Sequence, residues 1–213
     1  METQVKERPI IFSDAMVRAL LDGRKTQTRR VVKSATGYFN VNSTMDGQVC
    51  GLEVIDENEG YVKQLLCPYG QPGDQLWVRE TLFWSTCDDD WCYQADNCQL
   101  WTARQDDAYT ANILKHEKKA IPSIHMPREA SRLLLEITAV RCERLQDINE
   151  EDAVAEGVNL VEDDIFYEDY RDKNRMVAGA QMSYMTLWES INGPGSWELN
   201  PWVWVVTFQR VEA

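Results

Sequence analysis

The chain has 213 residues, 44% of them apolar and 27% charged, and it carries no Gln, Ser or Pro tract, which excludes a disordered or fibrous protein and suits one folded domain, 1–213. Its 35 acidic and 22 basic side chains leave a net charge of −13. That balance repels phosphate backbones over most of the surface and argues against extended nonspecific DNA binding. The longest uncharged apolar run, Trp202 to Phe208, is seven residues, too short to cross a bilayer. Residues 1–12 hold no apolar core of a secretory signal, so a cytoplasmic protein without membrane contact is expected.

In chain order, Pro9 to Phe12 reads as a short buried strand. Ser13 then supplies an N-cap and Asp14 a first-turn acid for a helix whose Ala15, Met16, Ala19 and Leu20 recur at helical spacing. Gly23 is placed to stop that helix in a left-handed conformation. A strand is expected from Thr26 to Val32. Residues 34–48 read as a loop or hairpin approach, and 49–55 with 61–66 as a hairpin. Cys67 to Gly73 cannot continue a strand, but Asp74 to Glu80 alternates as one. Residues 85–123 lose periodicity and read as an insertion.

Further on, Arg132 to Arg144 returns to strand character, with Leu133, Leu135, Ile137 and Ala139 on one parity. A short helix is expected from Asn149, ending before Gly157. An acidic connection follows, then a buried amphipathic helix presenting Met182, Met185, Leu187, Trp188 and Ile191 and ending at Asn192-Gly193. The closing strand from Trp202 is apolar on both parities and is expected to be central.

Of the six cysteines, Cys87, Cys92 and Cys98 are close in sequence, but their spacings match no short-gap zinc knuckle and Asp88 to Asp90 intervene. The reading is of reduced thiols, with no metal site and no cofactor.

Charge is uneven: residues 1–33 hold eight bases and four acids, whereas 143–174 hold three bases and twelve acids. The densest polar segment is Gly23-Arg24-Lys25-Thr26-Gln27-Thr28-Arg29-Arg30. On composition alone it is a solvated basic edge. Asp22 to Arg30 also resembles the "Gly-Arg-Lys-Thr" signature of ASCH-domain proteins, relatives of the PUA nucleic-acid-binding modules. Pro72-Gly73-Asp74 before Leu76-Trp77-Val78, Leu135 to Gly157, and Trp202 to Val211 are similar to later blocks of that family. The chain also looks like uncharacterised phage and prophage ASCH proteins that share "Lys-Thr-Gln-Thr-Arg-Arg" and "Asn-Pro-Trp-Val-Trp". The resemblance implies an α+β fold: a small mixed β-barrel with peripheral helices and, in this chain, insertions at about 34–66, 84–125 and 158–180.

One branch of the family, small bacterial amidohydrolases that deacetylate N4-acetylcytidine, uses a Lys, a Thr three residues on and a distant Glu. By position these fall on Lys25, Thr28 and Glu156. A Thr hydroxyl becomes a nucleophile only beside a base such as a desolvated neutral lysine. Thr28 would attack or orient water with Lys25 as base, while Glu156 holds the lysine, positions water or accepts the exocyclic amine. Arg24, Arg29 and Arg30 would bind phosphate or stabilise an oxyanion. Glu80 and His125 are further binding candidates, at a strand end and as one of only two histidines. Side chains three apart on a strand face opposite ways, so the site requires that the strand begin after Lys25. Glu156 stands where a negative charge opposes the helix dipole, which marks it as functional or as exposed and harmless.

The expected partner is a small nucleoside or nucleotide, or a short RNA. A noncatalytic nucleic-acid- or protein-binding module gripping phosphates with the basic segment, and a ribonuclease, are the competing readings. The sequence leaves the oligomeric state unknown.

Overall fold

The computed structural model describes residues 5–33, 38–43, 50–55, 62–87, 90–100, 120–162, 165–172 and 174–211. Strand β1 (Glu7–Ile11) leads through Phe12 and Ser13 into α1 (Asp14–Leu21), which ends at Asp22 with Gly23 at φ +73°. Strand β2 (Gln27–Val31) follows, and β3 (Tyr38–Ser43), β4 (Cys50–Ile55) and β5 (Val62–Leu65) form an antiparallel sheet of their own. Next come β6 (Gln75–Arg79), then β7 (Leu82–Ser85), β8 (Asp90–Tyr93) and β9 (Ala120–Ile121), which make a second three-stranded sheet. Strand β10 (Leu134–Arg144) precedes α2 (Glu150–Ala155), whose Asn149 side chain accepts the Asp152 N–H at 2.7 Å. A third small sheet holds β11 (Leu160–Glu162), β12 (Phe166–Glu168) and β13 (Met176–Ala178). Helix α3 (Ala180–Asn192) and strand β14 (Trp202–Arg210) complete the chain.

The central sheet has the order β1-β6-β10-β14-β2, with β1 and β6 parallel and the other pairs antiparallel. The fold is therefore α+β with a mixed sheet. Strand β14 lies between β10 and β2, as its run of apolar residues on both parities requires. Ile10, Leu76, Val78, Leu135, Ile137, Val203 and Val205 face one core with Met16, Val17 and Leu20 of α1 and Leu187 and Trp188 of α3. Each such large apolar side chain contributes about 1.5–3 kcal/mol.

The expected barrel is not closed. Strands β1 and β2 are the two edges of the sheet, and no ladder joins them among the described residues. They approach at one point, where Arg30 Nη2 donates to the Ile11 carbonyl at 2.7 Å. The Phe12 ring stands between them, its centroid 5.4 Å from Lys25 Nζ and 5.2 Å from Arg30 Cζ. A cleft lined by residues of both edges opens there.

Two details of burial depart from the periodicity. A register shift between Ile137 and Ala139 in β10 exposes Ala139 and buries Val140 and Cys142 instead. In α3, Met182 and Ile191 are exposed, and the buried face is made by Ala180, Ser183, Tyr184, Thr186, Leu187 and Trp188. Ser183 Oγ donates to the Glu168 carbonyl, and Thr186 Oγ1 takes the Tyr170 N–H, so these polar groups are buried with partners.

A smaller core of Leu82, Trp91, Tyr93, Leu100, Met126 and Ala130 underlies β7–β9. No helix among the described residues is long and apolar enough to cross a membrane.

Candidate active site

The tail of the basic segment is threaded between three elements before it becomes a strand. The Arg24 and Lys25 amides both donate to the Ala19 carbonyl of α1, Thr26 N donates to Ala155 of α2, and the Thr26 carbonyl accepts from Phe208 of β14. Strand β2 starts only at Gln27. Lys25 is therefore free of the strand's alternation, and it and Thr28 line the same cleft.

Lys25 is 4% exposed and Glu156 3%. The Lys25 ammonium donates to the Gln27 carbonyl at 2.8 Å, the Glu156 carbonyl at 2.7 Å and Glu156 Oε2 at 2.9 Å, which uses all three of its protons. Burial pushes the pKa of the amine below its ordinary value, and the Glu156 carboxylate opposes that shift. The cation also satisfies the carbonyl of Glu156, the residue that caps the C-terminal end of α2, so the acid that opposes the helix dipole is answered by a lysine at the same helix end.

The approach is close because residue 157 is glycine. It has φ +88°, and a Cβ there would lie 2.8 Å from the Lys25 Cβ and 2.9 Å from the Ala19 Cβ. No larger residue lets the end of α2 rest against Lys25.

Arg29 has a fully covered side chain and is the centre of an ion network. Its Nη2 meets Glu143 at 2.6 Å and Asp152 at 2.8 Å; its Nη1 donates to Gln27 Oε1 at 2.6 Å and meets Glu156 Oε1 at 3.3 Å. Arg141 binds the outer side of Glu143 and Asp152. Although burial works against the guanidinium, Glu156, Tyr184 and Glu143 raise its pKa. Arg29 thus orients Glu156 and is not open to a phosphate. Arg24 is exposed and donates to Gly157 and Asp22. Arg30 is half-buried and is the arginine of the segment that lines the cleft with its guanidinium tied only to a backbone carbonyl.

The cleft has a volume of about 220 Å³, and Phe12, Met16, Leu187 and Trp188 supply apolar walls around Lys25, Thr28, Arg30 and Glu156. Among the described residues the Thr28 hydroxyl has no hydrogen-bond partner, although Thr28 is 2% exposed. Tyr184 of α3 lines the cleft beside Glu156. Its ring stacks near Trp188 and Trp197, and burial followed by the Glu156 charge pushes its phenol well above the usual value, keeping it protonated.

No family model, curated protein or solved structure matches this chain. The geometry therefore carries the site.

Lys25, Thr28, Arg29, Arg30 and Glu156 are brought together; Glu80 and His125 are elsewhere. Glu80 is 2% exposed and takes Arg132 Nε at 3.0 Å and Nη2 at 2.7 Å, while Arg132 also binds Asp96, tying the smaller core to the central sheet. Burial raises the Glu80 pKa despite Arg132. His125 is exposed in a single 3₁₀ turn, Ser123–His125, outside the cleft lining. Among the described residues no group of three or more His, Cys, Asp or Glu is placed to hold a metal.

Tyr184, Phe12 and the Glu143–Asp152–Arg141 network are missed by the sequence. An aromatic at helical spacing reads as core, and Glu143 and Asp152 read only as members of an acidic run. The available signal is parity: Arg141 and Glu143, two apart on one strand, share a face.

Proposed function

We propose that the chain is an ASCH-like, PUA-related domain and an amidohydrolase that removes an acyl group from the exocyclic nitrogen of a modified pyrimidine nucleoside or nucleotide, with N4-acetylcytidine as the model substrate. The observation that carries this reading is a buried Lys25–Glu156 pair and an unpartnered Thr28 hydroxyl lining one cleft. Perturbed, paired titratable groups at a concave site are the usual marks of acid-base chemistry. At about 220 Å³ the cleft lies just below the common range for ligand pockets, roughly 300–1,000 Å³, and favours a compact group over a length of polymer.

The resting ammonium has no lone pair, so Lys25 acts as base after passing one proton to Glu156 across the 2.9 Å contact. Burial lowers the Lys25 pKa and so favours loss of that proton. The lysine nitrogen then takes the Thr28 proton as Oγ1 bonds to the acyl carbon. The C–N bond breaks as a proton returns through Lys25 to the exocyclic nitrogen, giving the free amine. Water cleaves the resulting threonyl ester to the carboxylic acid and restores Thr28. Arg30 is the nearest open cation for the oxyanion. Proton transfers of this kind contribute roughly 10²–10⁴-fold.

Phosphate gripping by the basic segment has less support, because Arg29 is consumed by three carboxylates and Arg24 is tied to Gly157 and Asp22, which leaves Arg30 as its one cation in the cleft with donors to spare. The test is chromatographic conversion of N4-acetylcytidine to cytidine. Thr28→Val keeps the volume of a side chain whose hydroxyl has no partner among the described residues and should lower turnover by roughly 10²-fold or more. Absence of turnover at high enzyme concentration, or a Thr28→Val variant as fast as the native protein, sinks the assignment.

A further inference from the structure

Arg79, at the end of β6, is the exception among the buried and half-buried arginines of the described residues. Arg8, Arg29, Arg128, Arg132 and Arg141 each meet a carboxylate and Arg30 a backbone carbonyl. Arg79 has neither, and its Nε, like that of Arg29, is shut off from water without an acceptor; the other nitrogens of Arg29 are held by carboxylates and Gln27, and those of Arg79 are not. A desolvated charged donor without a partner is costly, and native structures resolve such cases with a bound water or ion. The guanidinium is nonetheless fixed in place: its Cζ is 4.9 Å from the centre of the Trp77 ring, and Arg128 Cζ is 5.8 Å from the same ring. Stacking holds a cation but offers its N–H groups nothing to bond. Both guanidiniums lie within cation–π range of one ring, which gathers positive charge there. The neighbouring acids are occupied: Glu7 binds Arg128, and Glu80 is held by Arg132.

The register places this feature beside the cleft. In the parallel β1–β6 pair, Ile11 is opposite Arg79 and Pro9 opposite Trp77. Ile11 lines the cleft and its carbonyl takes Arg30, so the Arg79 backbone lies one strand spacing, ~4.8 Å, beyond the cleft wall. We propose that Arg79, stacked on Trp77 and supported by Arg128, is an anion site for the phosphate of a nucleotide whose base and sugar occupy the cleft. The substrate class is then a nucleotide rather than a free nucleoside. This rests on the reading of the cleft as a nucleoside site.

The experiment titrates the full chain with cytidine, cytidine 5′-monophosphate and inorganic phosphate, following the Arg79 Nε–H resonance, assigned by its loss in Arg79→Gln. The nucleotide should shift that resonance and bind roughly tenfold more tightly than cytidine, the value of one charge-assisted contact. Arg79→Gln should erase the preference, and Arg79→Lys should keep part of it. Equal affinity for cytidine and its monophosphate, or a preference that survives Arg79→Gln, overturns the proposal. So does a resonance that moves with inorganic phosphate but not with the nucleotide. If the nucleotide binds through Arg79 while no acylated substrate is turned over, the site stands and the amidohydrolase reading alone falls.

Discussion

Lys25 and Glu156 illustrate how a buried pair is held: a lysine with three acceptors, and a carboxylate shared between that lysine and Arg29. Removing one member leaves the other desolvated and unpaired, so Lys25→Met should cost about 3–5 kcal/mol. Glu156→Gln, which leaves the ammonium its two carbonyls, should cost less. The double variant Lys25→Met/Glu156→Leu should be less destabilised than the sum of its parts, because the groups interact directly. Urea midpoints followed by circular dichroism measure all of these; strict additivity would mean that the contact contributes nothing. At this scale the sequence named Lys25, Thr28 and Glu156 together, and the three line one cleft. It assigned Arg29 to phosphate or oxyanion binding, whereas the burial of Arg29 follows from carboxylates on β10 and α2 that no local pattern brings to it.

Helix α2 is only six residues long and is anchored at both ends, by the Asn149 cap and by Gly157 against Lys25. Gly157→Ala forces an L residue to φ +88° and drives a methyl into the Lys25 and Ala19 Cβ atoms. The expected loss is roughly 1–3 kcal/mol, read as a lowered melting temperature, together with reduced turnover as Glu156 is pushed away from Lys25. A Gly157→Ala protein as stable and active as the native one would show that this close approach is dispensable. The helix boundaries and the central position of β14 were legible from caps and apolar runs. The inward face of α3 was not, because Ser183 and Thr186 are buried through bonds to the β12–β13 segment that the sequence does not display.

At the scale of the molecule, a net charge of −13 sets the background against which buried ionisable groups act. Tyr184 is held well above the usual phenol value, first by burial and then by Glu156, and burial raises Tyr170 to about 12. An acid whose folded pKa exceeds its unfolded one contributes stability that is complete below about pH 10 and is lost as pH rises through the folded values. Lys25 acts oppositely: its depressed pKa makes stability rise with pH up to the unfolded value near 10.5. The folded protein should therefore weaken from about pH 10 upward, and Tyr184→Phe should flatten that decline; equal slopes in both proteins would remove Tyr184 as its cause. The sequence by itself determined the α+β class, the helices and the strands of the central sheet, but not the short strands within 82–121 and 160–178, because caps, turns and periodicity act between near neighbours in the chain. Only the tertiary structure decided that the sheet stays open between β1 and β2, that the cleft lies in that gap, and which cations remain available there. Those outcomes depend on pairings such as Lys25 with Glu156 and Ile11 with Arg79, between residues far apart in the chain, whose meeting is fixed by sheet register and packing rather than by local sequence.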